Sequence, residues 1–182
     1  LSRLPLIQPE DATGPAAELL AGVRNVLGVT PNMVKAMANS ATVLDAYLEF
    51  NAALADGVLP VGIRERIAIL VAQENECDYC LSAHSFAASR QAKLDNDELR
   101  RVRNGTSSDP RSEAIVGFAA AVVRCRGDIT EEQLRQARAS GLTEQEIAEV
   151  VGHVALNVFS NYFNKAADVE IDAAWPSVRH DL

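Results

Sequence analysis

The sequence predicts an all-α fold, and three features carry that expectation. Apolar residues recur at helical spacing along most of the chain. Helix caps and stops divide it into short segments. Ala is plentiful while aromatic residues make up only 5% of the 182 residues, which suits closely packed helices better than a β-sandwich. No convincing strand pattern interrupts these segments.

Residues 1–15 carry Pro5, Pro9, Gly14 and Pro15 and read as an extended lead-in. Ala16 to Leu27 follows as a helix that stops at Gly28. Thr30 is expected to cap the next helix, with Pro31 in its first turn and Met33, Val34, Met37 and Ala38 at helical spacing. From Ala41 to Ala55, Val43, Leu44, Tyr47, Leu48 and Leu54 share a face, and Asp56-Gly57 closes the segment. Pro60 and Gly62 precede a strong helix whose Ile63, Ile67, Leu70 and Val71 form an apolar stripe. A helix from near Cys77 to about Ala92 comes next, then a short piece capped by Asp95 or Asp97. Ser112 to Arg126 is an apolar helix. Thr130 with Gln133, and Thr143 with Glu146, are capping boxes that open the last two helices, the second running to about Ala167. These signals amount to about seven or eight helices in one domain spanning 1–182. Its parts are the lead-in, a first half over 16–105, a second half over 111–172 and a tail over 173–182. The loop TSSDP, 106–110, divides the halves.

A weak internal repeat overlies this organisation. An 80-residue offset sets Ile67, Ala68 and Val71 on Ile147, Ala148 and Val151. The same offset sets Cys77, Cys80 and His84 on Asn157, Ser160 and Asn164, so the second copy reads as one whose reactive side chains have become inert.

Charge and composition exclude several functions. The formal charge is −8, and the basic residues are scattered, so no nucleic-acid footprint is present. The densest basic cluster, Arg100, Arg101 and Arg103, reads as a solvated helix end. No apolar run reaches the ~18 residues of a membrane span, and the start has no signal-peptide pattern. Three cysteines, two of them close together, fit a cytoplasmic redox or metal pair better than a disulfide-stapled fold.

The chemistry concentrates in ENECDYCLSAHS, 74–85. On a helix, Cys77, Cys80 and His84 fall at i, i+3 and i+7, on one face. A helix starting at Cys77 aims N–H groups at its sulfur and favours the thiolate. His84, four residues from Cys80, favours Cys80 instead, so local physics leaves the attacking thiol open. Three readings compete: a redox pair with His84 as base, a zinc site completed by Glu65 or His153, and two packed structural thiols. A c-type haem is excluded because Leu81, not His, follows the second Cys.

The run RERIAILVAQENECDYCLSAHSFAA, 64–88, resembles the core of the AhpD-like alkylhydroperoxidases of the carboxymuconolactone decarboxylase superfamily. The shared pattern is Glu65, eleven residues, then Cys77, Cys80 and His84. Segments 28–40 and 141–172 resemble the upstream helix and the C-terminal helix of the longer, peroxidase-related members. The resemblance implies a helical subunit that assembles into a homo-oligomer, a dimer, trimer or hexamer. The implied activity is thiol-dependent reduction of hydroperoxides without a bound cofactor or metal. Cys80 would be the peroxidatic thiol, Cys77 the resolving one, His84 the proton acceptor and Glu65 its orienting partner. The reductant would be a dithiol, such as a lipoylated or thioredoxin-like protein. The best-known members carry a His where this chain has Tyr79, preceded by Asp78, so one relay group is missing. The namesake decarboxylases generally lack the Cys pair, which argues against decarboxylation. A general disulfide oxidoreductase, or a non-enzymatic zinc-binding or redox-sensing protein, are the alternatives.

Other residues have ordinary expectations. His153 reads as a buried or interface histidine, His180 as a solvated tail residue, and Cys125 as an inert, partly buried thiol. Trp175-Pro176 suggests a tail folded back on the body or onto a neighbour.

Overall fold

The computed structural model describes residues 1–181, and these form nine α-helices and no strand. They are α1 (Gly14–Leu27), α2 (Asn32–Met37), α3 (Ala41–Ala55), α4 (Val61–Glu74), α5 (Asp78–Gln91), α6 (Asn96–Arg103), α7 (Pro110–Arg124), α8 (Glu131–Ala139) and α9 (Glu144–Ala167). The count exceeds the expected seven or eight, because every one of the segments marked by caps and stops, down to the six-residue α2 and the eight-residue α6, forms a helix. The all-α expectation and both capping boxes hold, and Asp95 rather than Asp97 caps α6.

α4 is the central element. Ile67, Ala68, Ile69, Leu70, Val71 and Ala72 are all buried, so the helix is enclosed on every side rather than along one stripe. It packs on α5, α6, α7 and α9. Its main core takes in Leu81 of α5, Ile115, Val116 and Phe118 of α7, and Val150 and Val154 of α9. A second cluster joins Leu20 and Val23 of α1, Val34 and Met37 of α2 and Leu44 of α3. Met33 and Phe163 touch both clusters.

α2 begins differently from expectation. Pro31, not Thr30, is its N-cap, and no side chain on the N-cap residue bonds its first turn. Distant groups do so instead. The Asn32 N–H donates to both Asp172 carboxylate oxygens at 3.2 and 3.1 Å, and the Met33 N–H donates to the Tyr79 hydroxyl at 3.0 Å. The Asp172 charge also complements the helix dipole. A six-residue helix is unstable alone, so α2 is held from its N-terminus by residues far along the chain.

The TSSDP loop is anchored just as firmly. Buried Glu98 accepts from Arg66 Nε at 2.9 Å, from the Ser108 N–H at 2.9 Å and from the Ser107 and Ser108 hydroxyls. Burial alone would raise its carboxyl. The hydrogen bonds from Ser107, Ser108 and Arg66 outweigh burial and hold it at about 2. A depressed carboxyl stabilises the fold above its unfolded value and loses that contribution as the pH falls. Stability from Glu98 is therefore full above pH ~4.5 and lost on the way down to pH ~2. Urea titrations across this range are expected to show a Glu98-dependent loss of about 2–3 kcal/mol. Glu98→Gln should remove that loss and destabilise the protein near neutral pH, because the half-buried Arg66 is left without its carboxylate.

Candidate active site

The site begins with a helix break. α4 ends in a pair of reversed hydrogen bonds: Cys77 N–H to the Ala72 carbonyl at 2.9 Å and Glu76 N–H to the Gln73 carbonyl at 3.0 Å. This is a Schellman stop, with Glu76 in the left-handed region at φ 54° where glycine is usual. Cys77 is then the N-cap of α5, and its sulfur accepts the Cys80 N–H at 3.4 Å. Cys80 sits one turn later, with its Cα 5.3 Å from that of Cys77, and the two are joined in a disulfide. The sequence expectation of a helix starting at the first cysteine is met.

His84 lies one turn beyond Cys80 and faces back to α4. Its Nδ1 is 2.9 Å from Glu65 Oε2, with the two side chains 30% and 15% exposed. A carboxylate only accepts, so Nδ1 carries the proton and Nε2 is left as the basic atom. Glu65, His84 and Cys80 all line one cavity of about 640 Å³. Its walls are mostly apolar, from Leu19 and Val23 of α1, Met33 and Val34 of α2, and Leu48 of α3. Tyr47 also lines it. Loss of water contact, with help from the Glu65 charge, pushes its hydroxyl up to about 12. Cys77 lines a different, polar cavity.

Two contacts were not legible from the motif. Asn164 on α9 donates through Nδ2 to Cys80 Sγ at 3.2 Å and to Met33 Sδ at 3.2 Å, while its Oδ1 is buried without a partner. The repeat offers a signal in hindsight, since Asn164 is the residue aligned with His84. The supposedly inert copy thus supplies a side chain to the working site. α9 is also continuous through the positions aligned with the α4–α5 break.

The second contact is the tail, which folds back on the body. Trp175 packs edge-on against Tyr79, centroids 5.4 Å apart. The Val178 N–H donates to Ser82 Oγ at 2.9 Å. His180 is not simply solvated: its N–H and Nδ1 meet Asp78 Oδ1 at 2.9 and 2.7 Å, beside Arg179 at 2.7 Å from Oδ2. Arg103 is likewise no free helix end, because it donates to Gln73 and to the Arg179 carbonyl. Burial raises the Asp78 carboxyl, but the bonds from Arg179 and His180 outweigh it and hold it below the ordinary value. The charge that Asp78 brings near the thiols is therefore largely balanced.

Tyr79 does not replace the missing relay histidine. Its hydroxyl donates to Asp172 at 2.8 Å and accepts from Met33. Burial first, then the Asp172 charge, pushes its ionisation well up. His153 also lies away from the pair. It is buried, burial and nearby Arg64 lower its pKa, and its Nε2 has no partner. Among the described residues no group of three or more His, Cys, Asp or Glu side chains is arranged to hold a metal ion. Cys125 is a free thiol at the end of α7.

Tyr79→Phe is expected to cost about 1–3 kcal/mol, because the Met33 N–H loses its acceptor. It should leave the pH dependence of thiol reactivity unchanged; a displaced profile would return Tyr79 to the chemistry.

Known proteins agree with this picture. Residues 41–124, from α3 to the end of α7, match the carboxymuconolactone decarboxylase family. Among solved structures, an AhpD-core, uncharacterised peroxidase-related protein from Ralstonia eutropha JMP134 superposes with TM-score 0.84 at 22% identity, over 94% of this chain and 93% of that one. An uncharacterised peroxidase-related protein from Silicibacter sp. TM1040 gives TM-score 0.81 at 25% identity, over 94% and 91%. The debrominase Bmp8 in complex with 2,3,4-tribromopyrrole gives 0.78 at 22% identity, over 94% and 92%. A search of curated protein sequences finds no match. With the Glu65, Cys77, Cys80 and His84 pattern inside it, the segment 41–124 is a match to the carboxymuconolactone decarboxylase family, carried on a chain whose fold is AhpD-like.

Proposed function

We propose that the protein is a thiol peroxidase that reduces organic hydroperoxides with its Cys77–Cys80 pair. The observation that supports this reading best is the convergence of Cys80, His84 and Glu65 on one apolar cavity, with Cys77 already within bonding reach of Cys80. The apolar walls favour a hydroperoxide with a hydrocarbon body. His84 Nε2 takes the Cys80 proton, directly or through a water, and Glu65 holds the ring and balances its charge. The Cys80 thiolate attacks the distal peroxide oxygen. The O–O bond breaks, and the alkoxide leaves and is protonated to an alcohol. The Cys80 sulfenic acid then condenses with the Cys77 thiol, releasing water and closing the disulfide. A dithiol restores the pair by exchange. The Asn164 N–H steadies the Cys80 thiolate.

We further infer a homo-oligomer. Val151, Phe159 and Tyr162 lie on one side of α9 and are 44%, 40% and 61% exposed, an apolar stripe suited to burial against a second copy.

Cys80→Ser is expected to abolish hydroperoxide consumption. Cys77→Ser should permit one oxidation to sulfenic acid and then stall, which a sulfenic-acid trap followed by mass analysis reads directly. Exchanged behaviour of the two variants would give the attack to Cys77. His84→Gln should slow the reaction about 100-fold or more near neutral pH and move its rise to higher pH. An unchanged pH profile would remove His84 from the mechanism. A brominated aromatic, the kind of compound that the relative Bmp8 holds, is the control two-electron acceptor, and faster consumption of it than of a hydroperoxide would contradict the proposed substrate.

A further inference from the structure

The disulfide stands between two cavities. Cys80 lines the apolar cavity and not the polar one, and Cys77 lines the polar cavity and not the apolar one. Tyr79 and Asn164 line both and form the partition. The polar cavity holds about 370 Å³, at the small end of sites that take small molecules.

We propose that this polar cavity is the entry port for the reductant, an uncharged dithiol that attacks the Cys77 sulfur. The proposal rests on the redox reading above and assigns the site of its second half-reaction. Cys77 is 1% exposed, so a reagent reaches it only by entering the cavity.

The direction of exchange favours this port. In thiol–disulfide exchange one sulfur is attacked and the other leaves. A thiol of the reductant loses its proton, its sulfur bonds Cys77 Sγ, and the Cys77–Cys80 bond breaks. Cys80 departs with the electron pair as a thiolate, toward the apolar cavity and with the Asn164 Nδ2 donor 3.2 Å from its sulfur. The second thiol of the reductant then loses its proton and attacks the first. Cys77 leaves as a thiolate, and the reductant closes to a cyclic disulfide. Two electrons have passed to the cysteine pair, and the two protons shed by the reductant go to the Cys77 thiolate and, on the other side, to the Cys80 thiolate or its base His84. The mixed disulfide never occupies the hydroperoxide's cavity. Attack on Cys80 would place it there, and reductant and substrate would compete.

The lining selects the class of reductant. Glu76, Asp78 and Asp168 supply three carboxylates against Lys165 and Arg179. Arg179 pairs with Asp78 at 2.7 Å, and Lys165 lies 3.8 Å from Glu76 and 2.7 Å from the Asn75 carbonyl. Arg3 lies 4.0 Å from Asp168, so the charges around the cavity nearly cancel, and the formal charge of −8 on the chain is what disfavours anionic thiols. Asn164 Oδ1, buried and without a partner in the partition, is an acceptor ready for an incoming S–H.

The two half-reactions are measured separately. Protein oxidised chemically is reduced with dithiothreitol, and reduced protein is oxidised with cumene hydroperoxide. Trp175, the single Trp, packs on Tyr79 between the cysteines and supplies the fluorescence signal, with quenched samples checked by mass. Lys165→Tyr and Ile171→Phe narrow the polar cavity, and Ala87→Phe narrows the apolar one. Lys165→Tyr and Ile171→Phe are expected to slow reduction about tenfold and leave oxidation within about twofold. Ala87→Phe should do the reverse, and glutathione should reduce the wild type far more slowly than dithiothreitol at equal thiolate concentration. Lys165 is on the surface, so its variant keeps the test valid if Ile171→Phe fails to fold. Unchanged reduction in both polar-cavity variants, with Ala87→Phe slowing it, would overturn the port. Reduction is read without peroxide, so failure of cumene hydroperoxide to oxidise the protein would remove the peroxidase reading and leave the port's own result standing.

Discussion

The break between α4 and α5 is the constraint on which the site depends. α4 is buried on all sides and cannot bend within the core. Its Schellman stop turns the chain through Glu76, whose positive φ costs about 1–2 kcal/mol for a residue with a side chain. The turn makes Cys77 the N-cap of α5. Cys80 then follows one turn on, and His84 one turn beyond that. The return of α5 along α4 sets His84 against Glu65. Backbone geometry thereby delivers a sulfur at a helix N-terminus, a second sulfur within bonding reach, and a histidine of fixed tautomer, all on rigid elements.

The C-terminal segment completes what the break begins. Asp172 accepts from both the Asn32 N–H and the Tyr79 hydroxyl, so one carboxylate ties the start of α2 to the cysteine segment. α2 carries Met33 and Val34 into the apolar cavity. Arg179 and His180 balance Asp78, and α9 brings Asn164 to Cys80. The position before the second cysteine, filled by Tyr79, is thereby absorbed into packing, and among the described residues His84 is the only imidazole lining the apolar cavity beside Cys80.

Much of this was legible in the sequence because it is local. Caps, stops and apolar spacing depend on neighbouring residues, so the helices, both capping boxes and the cysteine-initiated helix could be read directly. The Glu65–His84 contact came through the spacing of a resembled family, not from helical periodicity, since the pair spans two helices. What stayed hidden was long-range. Thr30 has the right chemistry for a cap, yet the position went to Pro31 because Asp172 and Tyr79 satisfy the first turn from elsewhere. Glu76 gave no glycine to mark its left-handed turn. His180 and Arg103 look like solvent-facing residues until the tail is seen to lie across Asp78. Asn164 was visible only as the polar counterpart of His84 in a faint repeat.

The central claim is that a hydroperoxide oxidises this cysteine pair and no other thiol. Its most direct test is the intact mass of freshly reduced protein, taken under native conditions before and after one equivalent of an organic hydroperoxide. The account predicts a metal-free protein that loses two hydrogen atoms, mapped by digestion to a Cys77–Cys80 link with Cys125 still reduced. A protein that carries bound zinc and is indifferent to the peroxide would contradict it and make the segment a metal clip.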